Sequence, residues 1–296
     1  MKFHQLRALA EVARTGSIQK AALARNVSQP ALSKAVRELE RDLGVPLLVR
    51  GAAGTTLTPF GAIMCKRFHV MQGEIQKARE EIAWLKGTLG GQVLVGVSPP
   101  VTGTRISDSF AAFLQHQPSV KLELLELRPA QIVDALRNGQ IDVGLFHHYG
   151  EVDLPGVDCV ALQTFDTHLA IGGAPSSNEM SLEEIFKLNW LTPDLSDHGH
   201  GYLALLSQTS GLDLPDRILR CTSISLCFHL AEQAGFISHW AADINPYLDA
   251  RFSSGAMTKL RTDRPLPRMH IAMACRDEDL LSPGAVLLTR MLRSAF

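Results

Sequence analysis

Apolar residues recur at helical spacing from the first turn of the chain, with Phe3, Leu6, Leu9, Ala10 and Ala13 on one face. Thr15-Gly16 stops that helix, and Ser17 is placed to cap a second, short one of about Ile18 to Ala24. After a break at Asn26, Ser28 is placed to cap a third helix whose first turn holds Pro30, where a missing N–H costs nothing. Leu32, Val36, Leu39 and Leu43 continue that helix to Gly44. Ala21 and Ala22 permit helices two and three to cross closely. The pattern predicts helix-turn-helix architecture with the third helix placed for a DNA groove. "VPLLVRGAAGTTLTPFG" then reads as a short strand, a Gly-rich turn and a second strand, a hairpin wing, with Thr58-Pro59 starting a further helix.

From Pro59 to about Lys86 no strong breaker interrupts the helical pattern. Met64, Phe68, Met71, Ile75, Ala78, Ile82 and Leu85 alternate spacings of four and three, an a/d heptad seam. Such a seam serves either a helix lying on its own domain or one pairing with a second chain; a helix that connects two domains favours pairing. "KGTLGGQ" is a hinge. Beyond it the periodicity changes to alternating strands and helices: "QVLVGV", "VKLELLEL", the helix "PAQIVDALRNG", "IDVGLF", "THLAIGG", helices near 200–210 and 224–234, "RILRC", "GFISHW", "RMHIAMAC" and a closing helix at 283–295. This predicts an α/β domain with largely parallel strands.

Composition changes the picture in one respect. With 296 residues there is room for about two domains, and 46% hydrophobic with 20% charged residues is ordinary for a globular protein. The net charge of −1 hides an asymmetry: residues 1–90 carry fourteen Lys/Arg against seven Asp/Glu, and the rest is acidic. A basic module for a polyanion joined to an acidic module with another task is the expectation. No apolar run reaches membrane-span length, no signal-peptide pattern is present, and five scattered cysteines do not make a disulfide framework, which predicts a cytoplasmic protein. Nucleophile-elbow, phosphate-loop and HExxH motifs are missing, so no enzyme activity and no catalytic residues are expected.

The stretch "GSIQKAALARNVSQPALSKAVRELERDLGVPLLVR" resembles the winged helix-turn-helix of LysR-type transcriptional regulators. The small-residue helix, Ser28-Gln29-Pro30-Ala31-Leu32-Ser33, Leu39-Glu40, Leu43-Gly44, Leu47-Leu48 with Arg50, and Leu57-Thr58 with Gly61 carry the likeness. "LRNGQIDVGLF" is the most recognisable piece of the remainder. The resemblance implies an N-terminal winged helix-turn-helix over 1–58, a linker and dimerisation helix over 59–87, and a two-subdomain α/β effector domain over 88–296 like periplasmic binding proteins. Subdomain I would take about 92–162 and 266–296, and subdomain II about 163–265. Val49 is a mild departure from the family pattern, whereas Pro129 (where several relatives offer a hydroxyl) and Gly235-Phe236-Ile237-Ser238-His239-Trp240 suggest an unusual pocket wall.

For DNA, the expected base readers are Gln29, Ser33 and Lys34, with Pro30 against a thymine methyl. Ser28, Arg37 and Arg50 are expected at phosphates and Thr58 on the backbone beside the wing. For the effector, segments expected to converge between the lobes supply Ser98, Pro99, Pro100 and Thr102; Phe146 and His147; Thr192; Ser223; and His239. Hydroxyls and imidazoles beside an aromatic ring suit a small organic anion, an aromatic carboxylate or sulfonate. The partners implied are double-stranded DNA carrying an interrupted palindrome, a second copy in a dimer or tetramer, and RNA polymerase, with no membrane. No cofactor is expected. His147, His148, His198 and His200 lack ligand spacing for zinc, so no metal is expected. Two alternatives are a redox-responsive regulator using Cys221 and Cys227, and a cytosolic small-molecule-binding protein or enzyme with an accessory basic domain.

Overall fold

The computed structural model describes residues 1–51, 54–86, 91–193, 201–233, 235–242 and 246–296, without the side chains of residues 50, 84, 246 and 247. The chain folds as two compact units, one built on Met1–Lys86 and the other on Gly87–Arg137 with Ile141–Phe296.

The first unit opens with α1 (Phe3–Thr15), α2 (Ile18–Ala24) and α3 (Gln29–Leu43). Ser17 accepts the Lys20 N–H and Ser28 the Ala31 N–H, so both predicted caps form. Asn26 ends α2 in the left-handed region at φ 52°. The Val27 N–H reaches the Ala22 carbonyl at 3.0 Å and the Asn26 N–H the Leu23 carbonyl at 3.1 Å, the paired bonds of a Schellman turn. Leu6, Leu9, Val12, Ala21, Ala22, Leu32, Val36 and Leu39 are all buried in one core, with Ala21 at 0% exposure where α2 meets its neighbours. The wing is β1 (Leu48–Gly51) paired antiparallel with β2 (Gly54–Leu57). Glu40 anchors it, accepting the Leu47 and Leu48 N–H groups at 2.9 and 3.2 Å. Then α4 runs over Pro59–Leu85. Gly61 sits so near the wing's approach that a Cβ there would lie 2.1 Å from the Leu47 carbonyl oxygen, which explains a glycine inside a helix.

In the second unit, β3 (Gly91–Val97), α5 (Ile106–His116), β4 (Val120–Glu126), α6 (Pro129–Arg137), β5 (Val143–Tyr149) and β6 (Asp158–Phe165) begin a first lobe. The chain then enters a second lobe through β7 (Thr167–Gly172), β8 (Glu179–Met180), α7 (Leu182–Phe186), β9 (Trp190–Thr192), α8 (Tyr202–Ser210), β10 (Ile218–Arg220), α9 (Ile224–Gln233), β11 (Ile237–Ala241), α10 (Pro246–Ser253) and β12 (Met257–Thr262). It returns to the first with β13 (Met269–Cys275) and α11 (Pro283–Arg293).

Among the described residues the first sheet has the order β4-β3-β5-β13-β6 and the second β10-β9-β11-β7-β12-β8. Among the described residues the strands are largely parallel, as expected, with one reversed strand in each sheet. β3 pairs parallel with β4 and β5, but β13 runs antiparallel to both β5 and β6. In the second sheet β7 is antiparallel to β11 and β12. The reversed strands, β7 in the second sheet and β13 in the first, each come directly after a crossing between lobes. Each lobe buries apolar residues on both faces of its sheet: Val95, Val143, Leu145 and Ile271 on one side of the first, Ile132, Leu136 and Phe146 on the other.

Candidate functional site

On α3 the stripe Leu32, Val36 and Leu39 turns inward, which carries Gln29, Pro30, Lys34 and Arg37 outward as exposed residues, with Ser33 half-buried. Ser28 is exposed and already caps the helix. Lys34 lies 4.0 Å from Glu38 across one turn, a solvated pair in which the lysine side chain stays 74% exposed. The Arg50 side chain lies outside the described residues, though its backbone pairs with Thr55 in the wing. Thr58 is withdrawn as a DNA contact. It is buried, donates to the Pro46 carbonyl at 2.7 Å and accepts the Gly61 N–H at 3.0 Å, so its hydroxyl is spent starting α4.

The seam on α4 divides. Phe68 is 1% exposed and packs on Phe3 with ring centroids 5.0 Å apart, and Met64 packs on the same core. Phe68 therefore belongs to its own domain rather than to a partner, and Met64 is largely used there too. Met71, Ile75, Ala78, Ile82 and Leu85 are exposed, Leu85 at 85%. The heptad pattern continues through both halves because the same a/d spacing serves an intradomain face and an exposed one.

In the second unit a cavity of about 410 Å³ opens at the carboxyl ends of strands from both lobes. Pro99, Pro100, Thr102, His147 and His239 line it as expected from the sequence. Ser98 stands behind the wall, fully buried: its hydroxyl accepts the His147 backbone N–H at 3.0 Å and lies 2.9 Å from His147 Nδ1. Phe146 is excluded, because side chains alternate along β5 and its neighbour His147 takes the cavity side; Phe146 packs on Ile132 and Ala135 instead. Thr192 is buried between two lining residues, Leu191 and Pro193, and its hydroxyl is not part of the wall. Ser223 is exposed and caps the start of α9, receiving the Leu226 N–H, while Ile224 and Ser225 reach the cavity. His198 and His200 lie outside the described residues.

Electrostatics and ring packing set the cavity's character. His239 stacks face to face on Tyr202 at 4.0 Å and 2°, with Tyr149 edge-on at 5.9 Å. Burial pushes its imidazole down to about 3, so it is neutral at physiological pH. Phe228 and Trp240 stack at 4.8 Å, and the Arg251 guanidinium lies over Phe228 at 4.7 Å while pairing with Glu232.

Two family models match: "Bacterial regulatory helix-turn-helix protein, lysR family" over residues 3–62, and "LysR substrate binding domain" over residues 86–296. The chain belongs to the LysR family of transcriptional regulators. It is 24% identical over 286 residues to the HTH-type transcriptional regulator TdcA of Escherichia coli K12, covering 96% of this chain and 89% of that one. The full-length CbnR structure in complex with its target DNA superposes with a TM-score of 0.67 at 21% identity, over 100% of both chains. Full-length LysG of Corynebacterium glutamicum with bound effector Arg gives 0.63 at 18% identity, over 100% of this chain and 98% of that one.

In this LysR-type regulator the sequence reasoning missed Tyr149, Phe228, Arg251 and Met269 on the cavity wall, whereas Ser238 and Trp240 lie in the segment expected to shape it. Tyr149 was within reach, two residues beyond His147 on the same strand face. Arg251 was not, because α10 carries no motif and only packing brings it to α9. Cys227 also lines the cavity, its Sγ donating to the Cys221 carbonyl at 3.1 Å. Burial pushes the Cys227 thiol up to about 12, away from a reactive thiolate. Among the described residues no group of three His, Cys, Asp or Glu converges as a metal site, and no helix is long and apolar enough to cross a membrane.

Proposed function

We propose that this regulator binds an interrupted palindrome as a dimer or tetramer and is controlled by a small organic anion, an aromatic carboxylate or sulfonate, held in the cavity. The reading takes 1–58 as the DNA-binding domain, 59–87 as the linker helix and 88–296 as the effector domain, acting in the cytoplasm together with RNA polymerase. The observation that carries it is a cavity walled by both lobes on the same chain as an exposed polar face of α3. A ligand touching both lobes changes their equilibrium angle only by binding one arrangement more tightly. The exposed half of the α4 seam supports pairing, and the LysG complex supports a small effector.

On α3, Gln29, Pro30, Ser33 and Lys34 read bases, while Ser28 at its cap, Arg37 and Arg50 in the wing hold phosphates. Binding-site selection followed by salt titration tests this division. Gln29→Ala relaxes base preference at one position, whereas Arg50→Ala weakens all sequences and lowers the salt slope by about 1. Equal losses on specific and random DNA for both variants refute it. Cys221→Ser distinguishes the redox alternative, which requires that substitution to abolish a peroxide response.

A further inference from the structure

His239, on β11, lines the cavity with only 8% of its surface exposed. Its Nδ1 is occluded and has no hydrogen-bond partner, whereas Nε2 is not occluded, so Nε2 is the ring nitrogen that opens on the cavity. Tyr202 cannot serve Nδ1. The two rings lie face to face at 4.0 Å and 2°, which directs the in-plane nitrogens past it, and the Tyr202 hydroxyl meets Thr167 Oγ1 at 3.1 Å. A neutral imidazole holds its one proton on one nitrogen and a lone pair on the other. Buried N–H groups without an acceptor are rarer than acceptors left short of a donor, so Nδ1 holds the lone pair and Nε2 the proton. A second proton would have to enter at the occluded Nδ1, and burial opposes that charge.

We infer that His239 is the specificity-determining donor of the cavity: its imidazole carries a single proton, on Nε2, and there takes an acceptor oxygen of the effector, a carboxylate or carbonyl. This rests on the cavity being the effector site, and it names which end of the effector meets the second lobe. The neighbouring wall suits the same group. β10 and β11 both run parallel to β9, so α9, the helix between them, starts at the carboxyl end of that sheet, where β11 also ends. Ile224 and Ser225 at that start line the cavity, and backbone N–H groups in the first turn of a helix have no carbonyl of their own helix to bind. The positive end of the α9 dipole adds attraction for a negative oxygen. Stacked Phe228 and Trp240 supply an aromatic wall for the rest of the ligand.

The test has two parts, both on the full-length protein at neutral pH. Solid-state NMR with isotopically labelled histidine nitrogen reads the tautomer, and the resonances that His239→Gln removes assign the ring. The expected result is a lone-pair nitrogen at Nδ1 and an N–H at Nε2. An Nδ1–H, or a doubly protonated ring, overturns the inference and leaves the cavity as the effector site. Calorimetric titration then uses 2-naphthoate, 2-acetylnaphthalene and indole: an anionic acceptor, a neutral acceptor, and a donor without an acceptor oxygen. Ile224→Trp, which fills the cavity, reports location. His239→Leu should weaken the acceptor ligands about tenfold, the worth of one hydrogen bond, and weaken indole less. His239→Gln, which keeps a side-chain N–H, should recover part of that loss. Acceptor binding that His239→Leu leaves as tight as before, or weakens no more than indole, overturns the inference while leaving the site, as does binding of indole alone. No Ile224-sensitive binding by any of the three overturns both the inference and the reading beneath it.

Discussion

Ser98→Ala removes a single oxygen from a fully buried position. That oxygen accepts the His147 N–H at 3.0 Å and lies 2.9 Å from His147 Nδ1, so its loss strands two buried polar atoms at once. Leaving a buried donor or acceptor unsatisfied costs about 1–3 kcal/mol, which puts the variant about 2–5 kcal/mol below the parent. For a domain of this size, that is a Tm drop of roughly 5–15 °C. The assay is urea unfolding of the full-length protein followed at buried Trp190 and Trp240, with Trp84→Phe in the background to silence the linker helix. A two-domain chain need not unfold in one step, and these tryptophans report the effector domain. His147→Phe in the same background removes one of the stranded atoms. The double variant should thus be less destabilised than the two singles summed, by about 1–2 kcal/mol. A Ser98→Ala cost under about 0.5 kcal/mol, or strict additivity, refutes the view that this hydroxyl holds the His147 ring.

Glu40→Ala should destabilise the winged domain by about 1.5–3 kcal/mol, because an ionised acceptor of two wing N–H groups is lost; thermal melting that is unchanged rejects that anchor. The folded pKa of His239 lies at about 3 against an ordinary 6.5, so the unfolded chain binds the extra proton between those values. Its contribution is complete above pH 6.5 and falls by about 1.4 kcal/mol per pH unit as acidification proceeds toward 3. His239→Gln should flatten the stability profile across that window, and an unaltered slope counts against a neutral buried imidazole. Ile75→Asp with Ile82→Asp should shift sedimentation toward monomer and lower affinity for palindromic DNA, both residues being exposed on α4; an intact dimer would place the pairing surface elsewhere.

Local chemistry settled the DNA-binding half in advance. Caps at Ser17 and Ser28, the stop at Gly44 and the inward stripe of α3 are decided by residues a few positions apart, so periodicity alone located them. The linker helix was equally legible as a helix, but its 3,4 spacing could not say which turns face the chain's own core. Phe3, remote in sequence, claims Phe68 and decides that. Similarly, alternation along β5 guarantees that Phe146 and His147 face opposite ways, yet which of them meets the cavity depends on where α6 packs. Thr58 carried the chemistry of a DNA contact and was taken by the Pro46 carbonyl.

What the sequence by itself determined is thus the helix-turn-helix with its wing, the linker helix and the α/β character of the remainder, since these follow from propensity, capping and hydrophobic period over short spans, with two lobes implied by the family resemblance. What only the tertiary structure decided is the strand directions at the two lobe crossings and the composition of the cavity wall. Arg251 meets Phe228 and Glu232, and His239 meets Tyr202, through contacts between elements that no local spacing encodes. The charge state of that wall follows from burial and pairing, which exist only once the lobes have folded.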